Sequence, residues 1–310
     1  MLIWGGEKVC ISGGEPLCYE ELPAVIDACR KTNIETAIYT TGISSNGSTL
    51  QTISDSMLAL LSESDTKIIF SLHGARAKTH DKLTQVEGSF DTTMIAMERA
   101  INAGASVEVH VVPTAINFKE IADIIKLLAS VNINKVSWLR FVPQGRGQLN
   151  RDALQLDKGQ LRQLAKTKIK LQEIYKTIQI RTGAPFNILC PQFAVPCEAG
   201  LSVLTIRPDG CAAPCDAFKQ FRKKDAFGNI LYYSLSEVWD KSGLLNEVRR
   251  IHEARLTSSC TSCPLYAQCN SGCLAQKAIA AGKLTDGKDP ECLLNGVEMR
   301  CGKVEAVPVC

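Results

Sequence analysis

The 310-residue chain carries 14 cysteines, and seven of them fall into one ordered pattern. Cys197 is followed by twelve residues, Gly210, four residues and Cys215; further on come Cys260-x2-Cys263-x5-Cys269-x3-Cys273 and finally Cys292. Thiolates are soft ligands that suit zinc or iron–sulfur clusters. Two cysteines separated by two residues can put both sulfurs on one metal centre. Seven thiolates plus one further ligand would complete two four-ligand sites. Spacing alone leaves iron–sulfur clusters and a pair of domain-stapling zinc ions both open. A second chemical signature stands near the N-terminus, where the apolar run 8–12 ends in Gly13-Gly14-Glu15-Pro16. Glycines let a backbone approach a ligand closely, and a glutamate offers a carboxylate to a cation. A plain tight turn after a strand would use the same residues.

These residues need a scaffold, and the first 145 or so residues supply a rhythm for one. Apolar runs at 8–12, 35–40, 67–72, 106–112 and 135–142 read as strands, with helix candidates near 19–31, 50–62, 90–103 and 118–130. Strand-to-strand spacing of about 30 residues suits βα units and a parallel sheet. Right-handed crossovers coil such units into a barrel or partial barrel. The loops after the strands carry the unusual residues: GGEP, then Thr40-Thr41-Gly42, then SLHG (71–74), PTAIN (113–117) and PQGRG (143–147). Parallel barrels build their sites at that end of the strands. A longer helix is expected at 157–176. Its Lys166, Lys168, Lys170 and Lys176 read as a solvated face or a surface for an acidic peptide. From 183–187 onward the texture changes to cysteine, glycine and proline.

Composition narrows the class. Hydrophobic content is 45% and charged content 22%, ordinary for a packed protein. A net charge of +3 is too small to argue for a nucleic-acid partner. No apolar run reaches bilayer length and no secretion signal opens the chain. With no export signal, metal ligation explains the cysteines better than a disulfide framework, and a reducing cytoplasm is the expected location.

The cysteine spacing resembles that of the SPASM domain, the auxiliary-cluster domain of radical S-adenosylmethionine enzymes. GGEP resembles the loop that holds the amino group of S-adenosylmethionine in those enzymes. The stretches SLHG…HD…GSF (71–90) and GNI…SLSEVW (228–239) are similar to that family too. The resemblance runs from about residue 8 to residue 292. It implies an α/β fold, a partial (β/α)6 barrel without its first strand over 1–182, followed by a small cysteine-rich SPASM domain and tail over 183–310.

The resemblance also implies roles. Cys260, Cys263, Cys269 and Cys292 would ligate a distal [4Fe–4S] cluster, and Cys197, Cys215 and Cys273 a nearer one. Cys190, Cys211 or an open iron position would complete the nearer cluster, while Cys301 and Cys310 read as thiols on a tail. Gly13, Gly14, Glu15 and Pro16 would form the cofactor loop and Ser71 would meet the ribose, with Asn117 and Arg140 as further contacts. Asp216 matches the general base of maturases that oxidise a side chain, a turn-capping carboxylate being the alternative. His73 stands where many relatives carry aspartate.

The implied activity is hydrogen abstraction from a peptide or protein substrate, leading to crosslinking or side-chain oxidation. A low-potential electron donor of flavodoxin or ferredoxin type would serve it. Tetrapyrrole enzymes of the same family and a non-catalytic electron-transfer protein are the other readings. The family holds its radical-generating [4Fe–4S] cluster with a C-x3-C-x2-C loop, and Cys10, Cys18 and Cys29 do not have that spacing. The expectation is therefore a chain that lacks its N-terminal segment, with those ligands upstream.

Overall fold

The computed structural model describes residues 5–45, 49–189, 194–221, 225–253, 260–284 and 287–293. It divides into two compact units, one of Met1–Leu139 with Thr167–Arg181 and one of Arg140–Lys166 with Thr182–Cys310.

The first unit is built on β1 (Lys8–Ile11), β2 (Glu35–Thr40), β5 (Lys67–Ser71), β6 (Val107–Val111), β7 (Lys135–Trp138) and β8 (Gln179–Thr182), which lie side by side in that order. Consecutive pairs from β1 to β7 are parallel. A short antiparallel hairpin, β3 (Ile43–Ser45) and β4 (Leu50–Thr52), follows β2. Helices α1 (Leu22–Lys31), α2 (Asp55–Glu63), α3 (Ala77–Thr84), α4 (Ser89–Asn102) and α5 (Ile121–Ser130) fill the crossovers. Alternation along the strands sends Ile38, Ile68, Phe70, Val109, Val136 and Trp138 to one face, where all are buried. The helices present matching stripes, such as Leu22, Ile26 and Cys29 on α1 and Ile121, Ile124, Ile125 and Leu128 on α5.

Charges near the starts of β1, β2, β5, β6 and β7 alternate in sign, and β8 adds a second positive charge, Arg181. Lys8 on β1 is 2.5 Å from Glu35 on β2, and Glu35 is 3.3 Å from Lys67 on β5. Lys67 is 3.5 Å from Glu108 on β6, which is 3.9 Å from Lys135 on β7 and bonded to Arg181 on β8. The ladder thus crosses the sheet from edge to edge.

The second unit begins with α6 (Arg146–Leu149), α7 (Arg151–Leu154) and the first half of α8 (Lys158–Ile174). It continues with the antiparallel pair β9 (Thr205–Ile206) and β10 (Ala212–Ala213), then α9 (Leu235–Lys241), α10 (Gly243–Glu253), α11 (Tyr266–Cys269) and α12 (Leu274–Ala281). Ser234 and Glu237 form a capping box that starts α9. Phe218, Val248, Leu274 and Ala278 form a small core, and Cys273 and Cys215 are packed into it. Residues 140–166 belong here because Arg140 and Gln155 bond to Glu291 and the Phe141 carbonyl accepts from Gln276. On α8, Lys168 is buried while Lys166, Lys170 and Lys176, just past its end, are exposed.

The parallel α/β architecture agrees with the sequence reading, and several boundaries move. The helix expected from residue 50 starts at Asp55, because 50–52 pair as β4 and Ser54 caps the helix by accepting the Met57 N–H at 3.2 Å. The helix expected from residue 19 starts at Leu22, because Pro16–Cys18 form a separate 3-10 turn, so Cys18 lies outside α1. The last expected strand stops at Trp138 instead of 142. Strand β8, helix α3 and the β3–β4 hairpin were not expected. Among the described residues no helix is long and apolar enough to cross a membrane.

Candidate functional site

The first group of site residues lies at the ends of β1, β2, β5 and β6. Gly13 takes φ +139°, a value open to glycine, and a Cβ on either Gly13 or Gly14 would meet nothing within 4 Å. The loop therefore stands against open space, as a ligand loop requires. Pro16 is buried and opens the 3-10 turn that Glu15 caps. The Glu15 carboxylate is already well held. Its Oε1 accepts from the Leu17 N–H at 3.1 Å and the Thr40 hydroxyl, and its Oε2 from the Thr41 N–H at 2.8 Å and the Thr41 hydroxyl at 2.6 Å. The two threonines after β2 thus lock the GGEP loop in place. An ammonium arriving here would meet a carboxylate that is already oriented.

Ser71 ends β5, half-buried, in register with His110 on β6. Asn117 is fully buried and acts as a staple between two loops. Its Oδ1 accepts from the Thr114 N–H at 2.7 Å, and its Nδ2 donates to the carbonyls of His73 at 3.0 Å and Val112 at 2.9 Å. His73 Nδ1 accepts from the Val112 N–H at 3.4 Å, a role a carboxylate could also fill. His80 on α3 stacks on His73 and accepts its N–H at 3.1 Å. Burial holds His73, His80 and His110 down to about 4, far below a free imidazole. All three are neutral at physiological pH. The HD…GSF stretch is architectural: the Asp81 carboxylate accepts from the N–H groups of Gly88 and Phe90 and the hydroxyl of Ser89, fixing the start of α4.

The second group consists of the cysteines. Among the described cysteines no disulfide forms, and no three His, Cys, Asp or Glu side chains of the described residues converge tightly enough to hold a single metal ion. The thiols nevertheless act on one another in two sets. Cys215 is pushed up to about 12 by burial and then by Cys273, with Cys197 adding to it. Burial also raises Cys273, where Cys197 acts too. Cys269 is pushed up to about 12 by burial, then by Asp289, Cys292 and Cys260. Cys263 shares a turn with Cys260, its N–H donating to the Cys260 carbonyl at 2.8 Å. Soft thiols gathered in two groups are a donor set that iron–sulfur clusters use. The groupings Cys197–Cys215–Cys273 and Cys260–Cys269–Cys292 fall within the sets that the resemblance implies.

Chain geometry explains how neighbouring cysteines reach different sets. Between Cys269 and Cys273, Asn270, Ser271 and Gly272 all take left-handed dihedrals and reverse the chain. Gly272 is obligatory, because a Cβ there would lie 2.4 Å from the Asp289 side chain. Cys211 accepts from Asn229 Nδ2 at 3.4 Å and acts on Arg207. Cys190, Cys301 and Cys310 lie outside the described residues. Cys10 and Cys18 are exposed, while Cys29 is buried in α1. Asp216 is exposed at the start of a 3-10 turn directly after Cys215, with Lys219 3.3 Å from its Oδ2.

Arg140 is held in the second unit by a buried ion pair. Its Nη2 and Nη1 lie 2.5 and 2.7 Å from the two Asp289 oxygens, and its Nε lies 2.6 Å from Glu291. Burial opposes this charge, and Asp289 followed by Glu291 more than restores it. Neither acid stood out in the sequence, although both lie within three residues of Cys292.

Comparison with known proteins places these features. Residues 2–128 match the radical SAM superfamily, and residues 197–264 match an iron–sulfur cluster-binding domain, SPASM. The chain is 30% identical over 298 residues to the mycofactocin maturase MftC of Mycolicibacterium smegmatis, covering 92% of this chain and 70% of that protein. It is 24% identical over 291 residues to the PqqA peptide cyclase of Methylocella silvestris, covering 92% and 74%. Streptococcus suis SuiB bound to S-adenosylmethionine shares the fold with a TM-score of 0.73 at 21% identity, over 92% of this chain but only 66% of SuiB. The anSMEcpe protein with bound AdoMet shares it with a TM-score of 0.67 at 16% identity, over 89% and 78%.

Proposed function

The chain belongs to the radical SAM superfamily and carries a SPASM domain, and on that premise we propose that the protein containing it is a peptide maturase that acts by hydrogen abstraction. Membership implies iron–sulfur clusters and S-adenosylmethionine. The observation that carries the peptide reading is the match over more than nine-tenths of the chain to a maturase and a peptide cyclase. SuiB, with the same fold, has been crystallised with its precursor peptide SuiA.

In this reading Gly13 and Gly14 leave room for the methionine end of the cofactor, and Glu15 presents a pre-oriented negative charge to its ammonium. Ser71 faces the ribose. Asn117 serves by fixing the two loops around that space. When bound, the cofactor supplies the radical that takes a hydrogen atom from the substrate. Cys197, Cys215 and Cys273 hold one auxiliary [4Fe–4S] cluster, and Cys260, Cys263, Cys269 and Cys292 hold another. Asp216 removes the proton from the substrate, its exposed carboxylate lying one residue from a cluster ligand. Crosslinking and side-chain oxidation both use such a base. A low-potential electron donor completes the scheme. The C-x3-C-x2-C loop of the radical-generating cluster is not in these 310 residues, so activity is assayed on the protein at its native length.

The test is anaerobic reconstitution with iron and sulfide, followed by assay of 5′-deoxyadenosine and of peptide mass. The expected result is that Asp216→Asn retains 5′-deoxyadenosine formation and loses at least tenfold in modified peptide. Wild-type product yield from Asp216→Asn removes the base assignment. Absence of S-adenosylmethionine binding removes the whole reading.

A further inference from the structure

On the face of the sheet opposite the helix-packed core, one row of polar side chains is left without partners. Ser71 on β5 is in register with His110 on β6, and His110 with Ser137 on β7. In-register residues of parallel strands share a face, and strands lie about 4.8 Å apart, so the row is roughly 10 Å long. Among the described residues none of the three side chains has a hydrogen-bond partner, and neither the His110 nitrogens nor the two hydroxyls are sealed from solvent. Polar groups inside a protein normally find partners. The next layer of the same face does so: Glu108, two residues before His110, is bonded to Arg181 and lies 3.5 Å from Lys67 and 3.9 Å from Lys135. Glu15 and Asn117, at the strand ends, are satisfied as well. What this finished frame leaves open is the row itself. The Tyr39 ring walls one side of it, its centroid 5.2 Å from that of His110.

We propose that His110 and Ser137, beside the Ser71 that faces the ribose, form a subsite that selects an uncharged, hydrogen-bonding side chain of the peptide substrate: glutamine, asparagine, serine or threonine. This rests on the peptide-maturase reading given above. In that reading the cofactor runs from Glu15 on the β1 side to Ser71 on β5, which leaves the β6 and β7 end of the row to the substrate. The chemistry of the row sets the choice. A hydroxyl and a neutral imidazole both donate and accept hydrogen bonds, so they match an amide or a hydroxyl. Burial and then Arg181 keep His110 neutral. A carboxylate or ammonium would lose its water here and find no spare opposite charge, because Glu108 and Arg181 already hold each other. An aliphatic side chain would leave the row as unpaired as before. A side chain held by His110 is one strand, about 4.8 Å, from the residue that faces the ribose, close enough to be the one modified.

The test uses the protein at its native length, reconstituted with iron and sulfide. The probes are pools of synthetic nonapeptides, random except for a central glutamine, serine, glutamate, lysine or leucine. The readouts are 5′-deoxyadenosine formed above the peptide-free rate, peptide mass, and S-adenosylmethionine affinity by calorimetry. The glutamine and serine pools should stimulate wild-type protein about tenfold more than the others. His110→Leu should lose about tenfold of that stimulation and bind S-adenosylmethionine as wild type does. His110→Asn, which keeps a donor and an acceptor, should restore most of it, a rescue that a purely structural histidine would not show. Ser137→Ala should give a smaller loss, and serves where His110→Leu does not fold. Equal response to all pools, no response to any, or an unchanged preference in the leucine and alanine variants overturns the proposal, with cofactor binding still in place. A loss of S-adenosylmethionine affinity in these variants assigns the row to the cofactor and overturns it too. Wild-type protein that neither binds S-adenosylmethionine nor forms 5′-deoxyadenosine overturns the maturase reading itself.

Discussion

The strand-end residues of the first unit and the cysteines of the second differ in how complete they are. Glu15, Asn117 and Asp81 each have a full set of neighbouring hydrogen-bond donors or acceptors. The region is finished before any ligand arrives. In the second unit Cys260 and Cys273 are buried and Cys215 packs against an apolar core, several thiols raise one another's pKa, and no disulfide forms among the described cysteines. That arrangement is unfinished until metal arrives. On the proposed function, the first unit would position a ligand with groups already held in place, whereas the second would gain structure from metal.

Stripping the iron should sharpen this contrast most. A chelated chain should lose amide protection from 197 to 292 while the strands β2, β5 and β6 keep theirs, as read by hydrogen exchange. Uniform loss, or none, breaks the comparison. A smaller effect is expected from Cys263→Ala, which should lower bound iron by about four atoms per chain, one [4Fe–4S] cluster, and spare the Cys197 set. Unchanged iron in that variant contradicts its ligand role.

The smallest effect concerns the first unit and pH. His73, His80 and His110 sit at about 4 in the folded chain, against 6.5 for the free group. Their folded values lie below the unfolded one, so the unfolded chain binds more protons. Stability is complete above pH 6.5 and drains away as pH falls towards 4. Thermal unfolding of the sheet at about pH 7.5 and about pH 5 should show it. A melting temperature that does not move between these conditions argues against burial of the three imidazoles.

Much of the first unit was legible because its strands are short, apolar and evenly spaced. The run 35–40 coincides with β2. The hairpin at 43–52 was hidden, since a three-residue strand has too little period to register against a helical pattern. Spacing showed that seven cysteines belong to one pattern, and their division into two sets came from the resemblance. Arg140 pointed towards a cofactor in the sequence, and the structure places it against Asp289, 149 residues away. Local pattern carries no information about a partner at that distance.

The charge ladder along the starts of the strands has a further consequence, for the folding of the sheet. Its signs run Lys8, Glu35, Lys67, Glu108, and then Lys135 and Arg181. A misassembled sheet that set β2 against β6 would bring Glu35 to Glu108, and one that set β1 against β5 would bring Lys8 to Lys67. Like charges side by side on neighbouring strands repel. From β1 to β7 the alternation is therefore an address system: each of these strands carries the sign its proper neighbour accepts, which favours the native strand order as the sheet assembles.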